Sequence, residues 1–92
     1  MKFDELIHSI YRIGSQSHDD ELKEQIYVLS RGVAKEGVSN LVPNKTKEKY
    51  PFARLINDLE ALAEQARYMI DRIELMWLRE ELLNEGITEY QH

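Results

Sequence analysis

PFARLINDLEALAEQARYMIDRIELMWLREELLNEG, residues Pro51–Gly86, is the stretch whose reading decides the fold. With Phe52 at position a of a heptad, position a runs Phe52, Leu59, Ala66, Ile73, Glu80. Position d runs Leu55, Leu62, Met69, Met76, Leu83, and Glu80 is the one polar residue among the ten. Position e adds Ile56, Ala63, Ile70 and Trp77. Three apolar positions in seven make a stripe wider than a coiled-coil seam, suited to a helix in a bundle. Between Pro51 and Gly86 there is no Gly or Pro to interrupt it. Pro51 fits a first turn, and Gly86 fits the residue just past a helix end. The pattern therefore predicts one long helix over 51–85.

Such a helix would span roughly 54 Å at ~1.5 Å per residue. A compact domain of this size has a radius of gyration of only ~12–13 Å. The helix is thus expected to project from a monomer or to be covered by a second copy. Leu75, Leu78 and Leu82 lie on positions c and f, off the main seam. They make the C-terminal half apolar on a second face. Either the first helix covers that face or it is a self-association or partner surface, because a long apolar ridge is rarely left wet.

Working outward, Lys2 to Ile13 reads as a first helix with Phe3, Leu6, Ile7, Ile10 and Ile13 on one stripe, closed by Gly14. Ser17 reads as the N-cap of a second helix over 18–36, with Asp20 three residues on. Asp19, Asp20 and Glu21 complement the dipole of its first turn. Its stripe is Leu22, Ile26, Leu29, Val33. Gly32 is an interior weak point, a kink or a site of close helix approach. Residues 37–50 form the one substantial loop, where Leu41 and Val42 are expected to anchor in the core. Ile87 to His92 is a short tail, with Ile87 and Tyr90 expected to fold back onto the helix end. No internal repeat stands out.

The chain has 92 residues and no cysteine, enough for one domain and excluding thiolate chemistry or sulfur-bound metal. No segment approaches ~18 consecutive apolar residues, and no signal-peptide run is visible. A soluble cytoplasmic protein is expected. The net charge of −5 argues against direct nucleic-acid or membrane-surface binding.

The expected fold is all-α: two shorter helices packed on one long C-terminal helix, as a homo-oligomer. There is no phosphate-binding glycine loop, no helical His pair, no Glu-x-x-His and no nucleophile elbow, so neither enzyme activity, cofactor nor metal is expected. The leading expectation is a non-enzymatic interaction module: a regulator, adaptor or inhibitor of the kind phages and mobile elements encode. Its interface is expected at Leu75, Leu78, Glu80 and Leu82. Glu80 stands out because a carboxylate in an apolar seam must be wet or paired. A second expectation is an oligomeric protein that binds an anionic, nucleotide-like small molecule through Lys45, Lys47, Lys49 and Tyr50, a basic cluster on an acidic chain. A third is acidic mimicry of nucleic acid.

Overall fold

The computed structural model describes residues 1–39 and 50–87. Four helices are present among them: α1 (Phe3–Gln16), α2 (Asp20–Glu36), α3 (Phe52–Gln65) and α4 (Met69–Glu85). A two-residue parallel pairing sets Val38 beside Tyr50 and Ser39 beside Pro51 at the start and end of the α2–α3 connection. The fold is all-α, but the long helix is two helices. It breaks at Ala66, Arg67 and Tyr68, and α4 folds back along α3. The molecule measures 36 × 24 × 19 Å with a radius of gyration of 12.4 Å. The projecting helix, and the second copy inferred from its length, are therefore not required.

Neither Gly nor Pro makes this break. Tyr68, in extended geometry at φ −101° and ψ 134°, precedes α4 without a side-chain cap. The end of α3 is instead satisfied from α4. Arg72 Nε donates to the Ala63 carbonyl at 3.2 Å, and Arg72 Nη2 donates to the Ala66 carbonyl at 3.3 Å. The Ala63 carbonyl also accepts the Ala66 N–H at 3.2 Å, so Arg72 adds a side-chain donor at a helix end, where carbonyls run short of backbone partners. The break also answers the two apolar faces. Among the described side chains, the buried ones of α3 are Leu55, Ile56, Leu59, Leu62 and Ala63, and those of α4 are Asp71, Leu75, Leu78 and Leu82. The buried stripe jumps from positions a, d and e to c and f across the turn. A straight helix cannot direct both sets into one core.

The first hairpin is built alike. Asp19 is the N-cap of α2, with Oδ1 accepting from the backbone N–H of Glu21 at 3.1 Å and of Leu22 at 3.3 Å. Ser17, expected in that role, sits at the C-terminal end of α1. Gly14 does not close α1; the helix runs on to Gln16. A Cβ at Gly14 would lie 2.9 Å from both Ile26 Cγ2 and Tyr27 Cε1, so this glycine lets α1 and α2 approach closely. Gly32 has nothing within 4 Å of such a Cβ and serves no close approach.

The two hairpins repeat one pattern. An offset of 49 residues carries Phe3 onto Phe52, Leu6 onto Leu55, Ile10 onto Leu59, Ile26 onto Leu75, Leu29 onto Leu78, Val33 onto Leu82 and Gly37 onto Gly86. Both first helices have 14 residues and both second helices 17. Gly37 and Gly86 both close their helices at positive φ, 72° and 67°, which favours glycine. α1 packs on α2 and on α4, and α3 on α4 and on α2. The result is a four-helix bundle with both interhelical turns at one end. At the other end the Met1 ammonium donates to the Gly86 carbonyl at 3.0 Å, and Ile87 is buried. Leu41, Val42 and Tyr90 lie outside the described residues.

Candidate functional site

Burial assigns the residues of α4 to faces opposite to those the heptad reading predicts. Leu75, Leu78 and Leu82 are 0%, 4% and 0% exposed, so they belong to the core and not to an interface. Seam residues point outward instead. Met69 is 68% exposed, Ile70 56%, Trp77 64% and Leu83 49%. Ile73 and Met76 lie half-buried between them. The physical reason is the turn at 66–68: it reverses the chain and resets the phase, so the seam that is core in α3 becomes surface in α4. Glu80 is exposed on this outer stripe. Its Oε1 accepts from Arg79 Nη1 at 3.0 Å, so it is wet and not buried in a seam.

Charged groups frame the stripe. On the α3 side Arg79 Nη2 lies 3.4 Å from Glu60 Oε2, and Arg72 is held over the end of α3. On the α1 side Arg12 Nη1 lies 3.7 Å from Glu74 Oε2. There a small depression of about 150 Å³ is lined by Ser9, Arg12, Ile13, Glu74, Trp77, Leu78 and Glu81. The stripe from Met69 to Leu83 is about 21 Å long at ~1.5 Å per residue.

The hairpin repeat supplies an internal comparison. The outer face of α2 carries Asp20, Glu21, Glu24, Tyr27, Val28, Arg31 and Ala34. Shifted by 49, the same positions of α4 carry Met69, Ile70, Ile73, Met76, Trp77, Glu80 and Leu83. Six of the seven pairs share an exposure class; Ile73 is half-buried where Glu24 is exposed. One hairpin thus covers its outer face mainly with charge, and the other covers it mainly with large apolar side chains. Scattered exposed apolar residues are ordinary, but a contiguous stripe of them is not.

Other candidate residues are placed as follows. Lys45, Lys47 and Lys49 lie outside the described residues, and Tyr50 enters by its backbone pairing with Val38. Tyr11 stacks on Tyr27 with centroids 5.1 Å apart at 20°. Arg67 pairs across the turn end with Asp19 at 3.8 Å. A groove of about 520 Å³ between α2 and α3 is lined by Glu24, Val28, Leu29, Arg54, Asp58 and Leu62, among others. Burial raises the Asp58 carboxyl above the ordinary aspartate value. Among the described residues no three His, Asp or Glu are placed to hold a metal ion, and no helix is long and apolar enough to cross a membrane.

Two signals in the sequence point to the true arrangement. One is the jump of apolar phase after Ala66. The other is the offset of 49, which lays Ala66-Arg67-Tyr68 on the recognisable turn Ser17-His18-Asp19. No protein-family model matches the chain, and no curated protein or solved structure matches it either.

Proposed function

We propose that this chain is a non-enzymatic interaction module that docks a protein surface on the outer face of α4. One observation carries the reading: α2 and α4 occupy repeated positions, yet α4 carries Met69, Ile70 and Ile73 where α2 carries Asp20, Glu21 and Glu24, and Trp77 where α2 carries Val28. Packing inside the bundle does not ask for this, because the inner faces already supply the core. Covering those side chains would remove apolar area from water at ~25 cal/mol per Å². Trp and Met are also residue types enriched where proteins meet.

Site-specific photo-crosslinking in the native cell tests this directly. A photoreactive residue at Ile70 or Leu83 is expected to give discrete protein adducts, while one at Glu21 or Ala34, the repeat-related positions of α2, is expected to give none. Equal labelling from both helices, or no adduct from α4, would rule out a docking face there.

A further inference from the structure

We infer that the cleft between α1 and α2 takes the guanidinium of an arginine side chain presented by a partner polypeptide. The cleft holds about 470 Å³ and is lined by Asp4, Ile7, His8, Tyr11, Ser30 and Ala34, among others. It shares no residue with the α4 face, so the site goes beyond the docking role above and stands if that role falls.

The hairpin repeat shows what this cleft lacks. Shifted by 49, Ser30 falls on Arg79, Tyr11 on Glu60, Ala34 on Leu83 and Ile7 on Ile56. In the second hairpin Arg79 reaches from α4 to α3, with Nη2 3.4 Å from Glu60 Oε2. Only 21% of its side chain is exposed, and its Nε is buried. The guanidinium and its aliphatic stem thus lie between the helices and not in water. In the first hairpin a serine and an alanine replace Arg79 and Leu83, and the space those side chains would take is the cleft. Ile56 is 7% exposed, whereas Ile7 is left half-buried.

The residues that remain suit a guanidinium from outside. Ser30 is 5% exposed, and its hydroxyl has no hydrogen-bond partner among the described residues. Buried hydroxyls are ordinarily paired, and this one lies on the cleft wall, where it can accept from a guanidinium N–H. Among the described lining residues Asp4 carries the one charge, histidine counted neutral, so the cleft favours a cation. Tyr11 stacks on Tyr27 at 5.1 Å and is still 55% exposed, which leaves ring surface for a planar cation. A purely apolar occupant would bury Asp4 and Ser30 unpaired. Asp4, His8, Tyr11 and Ala34 are exposed, so the cleft is open enough for a side chain still attached to its own backbone. Sites for free small molecules instead enclose most of the ligand.

The test titrates N-acetyl-arginine amide, the blocked form of a residue within a chain, into the isotope-labelled full chain, followed by two-dimensional amide NMR. Saturable shifts are expected at Tyr11, Ser30 and Ala34, with a Kd on the order of millimolar for one side chain. N-acetyl-norleucine amide, apolar and uncharged, should shift none of them. Asp4→Asn, at an exposed position, should weaken binding about threefold. Tyr11→Glu with Ser30→Arg rebuilds the pair of the second hairpin and fills the cleft with the chain's own side chain. This variant should keep its helical circular dichroism and lose the response to the probe; if it unfolds, Asp4→Asn decides. No saturable shift at Tyr11 and Ser30, equal shifts from the norleucine control, or an unchanged response in the filled variant overturns the guanidinium site. Free arginine binding at least tenfold more tightly than the blocked form overturns the polypeptide source.

Discussion

Ser17 Oγ donates a hydrogen bond to Asp71 Oδ2 at 2.8 Å, and both side chains are buried although they lie 54 positions apart. The bond ties the turn of the first hairpin to the first turn of α4. Asp71 stands where the repeat has Leu22, and Ser17 stands where it has Ala66. The second hairpin thus inserts a carboxylate into an apolar position, and the first answers it with a hydroxyl. Ser17→Ala leaves the carboxylate unpartnered by that bond and is expected to cost about 1–3 kcal/mol. Ser17→Ala with Asp71→Leu recreates the residue pair that Ala66 and Leu22 form in the repeat and should recover the part of that loss due to the carboxylate, though not the bond that Ser17 Oγ accepts from the Asp19 N–H. Urea unfolding of the three variants checks this; a double variant no more stable than Ser17→Ala would contradict it.

Gly14 and Gly32 should respond oppositely to alanine. At Gly14 the new methyl meets Ile26 and Tyr27 at 2.9 Å, so the helices must separate, at about 1–3 kcal/mol. At Gly32 the methyl meets nothing, and the gain in helix propensity should stabilise by about 0.5–1 kcal/mol. Thermal melts that move in the same direction for both would refute the packing assignment.

The two faces of α4 separate stability from docking. Leu75→Ala removes a fully buried side chain and should cost about 2–5 kcal/mol. Trp77→Gln lies on the outer face and should leave the stability of the isolated monomer within about 0.5 kcal/mol. Denaturant melts at concentrations low enough to exclude self-association make the comparison. A large loss from Trp77→Gln would mean that the tryptophan is core.

Asp19 closes the turn end with two backbone hydrogen bonds and an ion pair to Arg67. Asp19→Ala is expected to cost about 1 kcal/mol, the usual loss for an N-cap, while Arg67→Ala should cost well under that because its side chain is 76% exposed. Chemical denaturation of both settles whether the cap or the ion pair matters more.

Asp58 gives a pH signature. Desolvation raises its folded pKa above the unfolded value, so the folded chain holds that proton more tightly. Its contribution is full below the unfolded pKa and is lost as pH rises through the folded one. Asp58→Asn should remove this fall from the acid limb of the stability curve and leave the rest unchanged. The amplitude is small, because 38% of the side chain remains exposed beside Arg54. Wild-type and Asn curves that stay parallel across the acid range would contradict it.

By itself the sequence determined that the chain is helical, where α2 ends, and which residues of α1, α2 and α3 form the core. Leu6, Ile10, Leu22, Ile26, Leu55 and Leu59 follow a helical period, and their burial needs no knowledge of their neighbours. Only tertiary structure decided the turn at Ala66–Tyr68. No residue there forbids a helix. The chain reverses because α3 and α4, packed side by side, bury the apolar faces at Leu55–Ala63 and Leu75–Leu82 in one core, with Arg72 closing the cut end. The same reversal decided the site. Periodicity shows that α4 has two apolar faces; it does not show which one meets the rest of the bundle. Once Leu75, Leu78 and Leu82 turn inward, Met69, Ile70 and Trp77 are left facing water.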